Sequence, residues 1–96
     1  MKELENINEI NNKKVILDFY SSSCVPCRRV IKMLENEPNL DVLKVNVEKS
    51  ENAFIINKFG IQAVPTLVLL NNNSEVTRAN GIIGVNAIKE AWEKLD

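Results

Sequence analysis

The chain has two cysteines, Cys24 and Cys27, three residues apart, and no histidine. Only a thiolate attacks a disulfide, so such a pair can do redox work where one sulfur's anion is stabilised. The start of a helix does this, because unpaired backbone amides and the positive end of the helix dipole face the first residue. With Cys24 there, its sulfur is the attacking group, and Cys27, one turn on, displaces a mixed disulfide from within the molecule. Two plainer readings compete, half of a zinc site and a pair of structural cysteines. Zinc wants four ligands, and the chain offers no histidine and no second cysteine pair. Neither a metal site nor a bound cofactor is expected.

Asp18 is the second chemical signal, a carboxyl set inside Val15-Ile16-Leu17-Asp18-Phe19-Tyr20. Burying the charged form is costly, so its pKa should rise. It faces away from Leu17 and Phe19, near the end of the strand that feeds the cysteines, where a proton acceptor for Cys27 fits. The plainer reading is an aspartate that faces solvent or caps a loop. Lys44 interrupts the next apolar strand and could pair with Asp18; alone, it reads as a solvated strand residue. Pro65 reads first as a strand-start proline, Asn80-Gly81 as a turn, Trp92 as core and Tyr20 as strand-end packing.

These groups need elements to hold them. Val15 to Tyr20 is nearly all apolar, as a central parallel strand covered on both faces should be. Ser21 to Ser23 offer hydroxyls at the start of a helix from Cys24 to about Asn36, and Pro26 falls in its first turn, where no donor is lost. Leu4, Ile7 and Ile10 predict a short helix over residues 3 to 11. Val42 to Val47 reads as a strand. Ser50 is set to cap a helix through Phe59, which Gly60 closes. Thr66 to Leu70 and Glu75 to Ala79 form a hairpin, and Asn86 to Leu95 the last helix. The alternation demands right-handed parallel crossovers, closed by an antiparallel edge.

Ninety-six residues bound this to one domain, residues 1–96. Net charge is −1 with scattered Lys and Arg, so no footprint for nucleic acid appears. The longest apolar run, Val64 to Leu70, is too short to span a membrane. Met1 to Asn6 carries no apolar signal core, so a cytoplasmic location is expected. Cytosolic disulfides are usually catalytic rather than permanent.

Val15-Ile16-Leu17-Asp18-Phe19-Tyr20 leading to Cys24-Val25-Pro26-Cys27, then Leu43-Lys44-Val45-Asn46-Val47-Glu48, Phe59-Gly60-Ile61-Gln62-Ala63-Val64-Pro65-Thr66 and Gly81, together resemble the thioredoxin family. The resemblance runs from about Lys13 to the C-terminus. It implies an α/β thioredoxin fold, with a central mixed sheet of about four strands flanked by helices and the family's first strand short or missing. It implies that Asp18 assists proton transfer at Cys27, accompanied by Lys44, and that Pro65 is a cis-proline bringing the Val64 backbone beside Cys24. Tyr20, Ser23, Val25, Pro26, Val64, Pro65 and Gly81 would then form an apolar docking face. Three departures bear on partner choice and reduction potential. Ser23 replaces the family's usual Trp, Val25 replaces the usual Gly, and the helix after Cys27 lacks the mid-helix proline.

The function so implied is a monomeric protein-disulfide reductase. Its partners would be disulfide-containing client proteins and a thioredoxin reductase, either NADPH-flavin or ferredoxin-linked. A glutaredoxin-like role fits less well, since no paired glycines follow Val64-Pro65-Thr66. The alternatives from other classes are a redox-switched docking module for one partner and a thiolate metal or iron–sulfur site shared by two chains.

Overall fold

The computed structural model describes residues 1–95. Five strands form one sheet in the order β1-β3-β2-β4-β5: β1 (Lys2–Glu3), β2 (Lys14–Tyr20), β3 (Val42–Asn46), β4 (Thr66–Asn71) and β5 (Ser74–Asn80). Strands β1, β3 and β2 run parallel, and β4 and β5 add the antiparallel edge. Helices α1 (Val25–Glu35), α2 (Ala53–Lys58) and α3 (Gly84–Lys94) cover the two faces.

Strand alternation sorts the core into two layers. Val15, Leu17 and Phe19 of β2 face Ile10, Ile55 and Phe59 on the α2 side. On the other side, Ile16 faces Val30 and Leu34 of α1 and Val85 and Ile88 of α3. Each fully buried Leu, Ile or Phe contributes about 1.5–3 kcal/mol. Trp92, expected in the core, packs only partly buried against this second layer, its ring under Lys14 Nζ at 4.2 Å.

The N-terminus departs from expectation. Residues 3 to 11 do not form one α-helix: Glu3 ends β1, and only Ile7–Ile10 are helical, as a short 3₁₀ helix. Asn6 and Glu9 cap that turn reciprocally, while Leu4 and Ile10 lodge in the first core layer, so helix-like spacing is satisfied by one short turn. The sheet therefore has five strands rather than about four, the first being only two residues long. Ser50 does not cap α2. It opens a 3₁₀ turn, its hydroxyl bonds Glu51, and α2 begins at Ala53 without a side-chain cap. Gly60 closes α2 at φ 59°. Asn72 and Asn73 both take positive φ, the requirement of a tight two-residue hairpin turn between β4 and β5.

Candidate active site

Cys24 and Cys27 are joined by a disulfide, with their Cα atoms 5.2 Å apart. Cys24 is the N-cap of α1 rather than its first residue, and its sulfur accepts from the Cys27 backbone N–H at 3.2 Å. That amide is one of the orphan donors of a helix start, so the same contact stabilises a thiolate when the bond is opened. Pro26 sits in the first turn, where its missing N–H leaves no gap. The turn before Cys24 is held by Glu48, to which the sequence reading gives no role. Glu48 Oε1 accepts from the Ser22 backbone N–H at 2.9 Å and from its hydroxyl at 2.6 Å, which holds the Glu48 pKa below the usual carboxylate range.

The two sulfurs lie in different surroundings. Cys27 is fully buried, on the inward stripe of α1 with Val30 and Leu34, while Cys24 is partly exposed. Ser23, Val25 and Pro26 are exposed around it, Val25 at 60%. The Val64–Pro65 bond is cis. Gly81 is drawn to that bend, its N–H donating to the Pro65 carbonyl at 3.1 Å. Thr66 ties the bend from both sides, its hydroxyl donating to the Ala63 carbonyl at 2.6 Å and accepting from Asn80 Nδ2 at 2.8 Å. Beside Val64 lies a shallow groove of about 190 Å³, lined by Val47, Ile56, Ile61, Gln62, Ala63 and Val64. Apart from Val64, none of these was given a site role from the sequence, because the groove is assembled from three separated segments.

Asp18 is fully buried on the face of β2 that α1 covers, and neither carboxylate oxygen has a hydrogen-bond partner. Desolvation pushes its pKa up to about 7, against the nearby Lys44 charge, with Glu3 adding to the rise. Lys44 stands directly across the β2–β3 ladder from Asp18 but does not bond to it. Its ammonium goes instead to Glu3 at 3.4 Å. Tyr20 turns the same way: its hydroxyl donates to Glu3 Oε2 at 2.6 Å, and burial together with that acceptor pushes the phenol pKa up. Glu3 carried no signal in the sequence, since its place beside Lys44 comes from strand pairing alone. Among the described residues no group of three or more His, Cys, Asp or Glu is gathered for a metal ion.

A Cys-x-x-Cys disulfide at a strand-to-helix turn, together with a cis-proline bend on the same five-stranded sheet, defines a thiol–disulfide oxidoreductase of thioredoxin fold. The thioredoxin family model matches residues 2–94. The chain is 35% identical over 86 residues to thioredoxin-1 of Saccharomyces cerevisiae, covering 83% of this chain and 79% of that protein. It is 32% identical over 81 residues to thioredoxin of Rickettsia bellii, covering 79% and 75% respectively. The crystal structure of Fasciola hepatica thioredoxin superposes with a TM-score of 0.75 at 28% identity, covering 94% of this chain and 88% of that one. The chain belongs to the thioredoxin family and is a thiol–disulfide oxidoreductase.

Proposed function

We propose that this protein is a reductase of protein disulfides, working in a reducing, cytoplasmic setting. The observation that carries the reading is the contrast between the two sulfurs: Cys24 is partly exposed at a helix N-cap, and Cys27 is fully buried beneath it. The Cys24 thiolate attacks one sulfur of a client disulfide; a Cys24–client bond forms and the other client sulfur leaves as a thiolate. Cys27 then gives its proton to Asp18 and attacks the Cys24 sulfur. The Cys24–client bond breaks, the client leaves reduced, and the Cys24–Cys27 disulfide holds the oxidising equivalents. A thioredoxin reductase class enzyme returns two electrons and two protons to the pair. The cis Val64–Pro65 bend, Gly81 and the exposed Val25 supply the docking rim, on which an extended client segment lies.

The test is reduction of insulin disulfides with dithiothreitol as electron source. Wild type is expected to turn over, Cys24→Ser to be inert, and Cys27→Ser to accumulate a covalent adduct without turnover. Persistent turnover by Cys27→Ser would remove Cys27 from the mechanism. Equilibration against defined thiol–disulfide buffers fixes the direction. The general reference for thioredoxins is about −270 mV, and a value near the oxidant extreme of about −120 mV would reverse the proposed electron flow.

A further inference from the structure

Glu3 lies on the two-residue strand β1, outside every motif, yet one of its oxygens joins two groups beside Asp18. Glu3 Oε2 accepts from the Tyr20 hydroxyl at 2.6 Å and lies 3.4 Å from Lys44 Nζ. The Lys44 ammonium also stands 5.7 Å from the centre of the Tyr20 ring. Sheet register builds the cluster: Glu3 is opposite Lys44, and Lys44 is opposite Asp18. Tyr20, two residues beyond Asp18, shares its face. One ammonium therefore stands between two carboxylates and is bonded to the outer one, leaving the buried inner one with no partner.

We propose that Glu3 is a positioning residue for proton transfer at Cys27: it diverts Lys44 from Asp18 and thereby keeps Asp18 an effective base at neutral pH. This rests on the reading that Asp18 accepts the Cys27 proton. An ammonium bonded directly to a carboxylate lowers its pKa by about 1–3 units. Asp18 would then be ionised at all working pH values and weak as a base. Glu3 opposes this twice, by holding the ammonium on its own oxygen and by adding negative charge nearby. The charged and titratable groups beside Asp18 are Lys44 from β3, Glu3 from β1 and Tyr20 from β2, and α1, which covers this face, buries Cys27. The other elements on this face present apolar Leu67, Val85 and Ile88.

The experiment is a ¹³C NMR titration of the Asp18 carboxyl in the reduced, full-length protein. Glu3→Gln keeps side-chain length and an acceptor oxygen, and leaves the backbone bond from Leu4 N–H to the Lys44 carbonyl in place. Its Asp18 midpoint is expected to fall by about one pH unit, and the pH profile of single-turnover resolution to move down with it. In a Lys44→Met background the same substitution is expected to shift Asp18 less, because no ammonium remains to be redirected. An unchanged midpoint in Glu3→Gln overturns the proposal, as does an equal shift with and without Lys44. A merely structural role for Glu3 would move the melting temperature and leave both midpoints alone. The titration needs no client, so failure of the base role appears separately, as unimpaired resolution in Asp18→Asn.

Discussion

Cys24 meets solvent, whereas Cys27 is sealed between α1 and the sheet, so the thiol of Cys27 has no direct exposure to bulk solvent. The group available on that face is Asp18, whose burial moves its pKa up to about 7. A base is most effective when its pKa lies near the working pH, so the cost of burying Asp18 is also what would suit it to the proposed proton transfer. Replacing it with asparagine keeps the shape and removes the acceptor. For Asp18→Asn we expect resolution at neutral pH to slow by about tenfold or more, with the first attack by Cys24 nearly unchanged. In wild type the resolution rate should rise as pH passes through about 7, where Asp18 ionises, and that rise should be absent from the variant. Stopped-flow measurement of the two single-turnover steps checks this, and equal slowing of both would count against Asp18 as the acceptor.

At the level of elements, what the sequence made legible follows from burial. Strand β2 is covered on both faces, so it writes a continuous apolar run in which Asp18 stands out; α1 begins at a cysteine pair that encloses a first-turn proline. Strand β1 could not be read, because two residues have no period and Lys2 and Glu3 pair only where the β3 edge offers itself. For the same reason Glu3 was invisible as a neighbour of Lys44, and Glu48 as the anchor of Ser22. Helix α3 was expected from Asn86 but begins at Gly84, and the reason is contact rather than propensity. A Cβ on Gly84 would meet the Ala79 Cβ of β5 at 2.9 Å, so glycine lets the helix start lie directly on the edge strand. Gly84→Val should therefore destabilise the fold by about 1–3 kcal/mol through overpacking. In a domain of this size each kcal/mol lowers the melting temperature by about 4–8 °C. Thermal melting checks it; an unchanged midpoint would mean that α3 shifts off β5 without loss.

For the molecule as a whole, the ionisable groups pull stability in opposite directions with pH. Asp18 is raised from 3.8 in the open chain to about 7 in the fold, so the folded state holds an extra proton between those values. Its contribution is fully present below about pH 4 and is lost as pH rises through about 7. Glu9 runs the other way: bonds from Lys2 and from the Glu5 and Asn6 amides hold it at about 2, so its contribution is present above about 4.5 and lost in acid. Glu48 and Glu75 are lowered as well, through Ser22 and Arg78 respectively, and share that sign. These carboxylates lie near the surface and are screened by solvent, whereas Asp18 is fully enclosed, so Asp18 dominates with an effect on the order of a few kcal/mol. The oxidised protein should thus be most stable near about pH 4–5 and lose stability steadily toward about pH 8, below the usual optimum for a globular domain. Urea unfolding across that range reads the slope. Asp18→Asn leaves two polar atoms in the same enclosed site at every pH, so its absolute stability is not diagnostic, but its curve should be flat from about pH 5 to 8. Parallel curves for wild type and Asp18→Asn would mean that Asp18 is already ionised in the folded protein at acid pH, and a carboxylate that weak could not take the proton from Cys27.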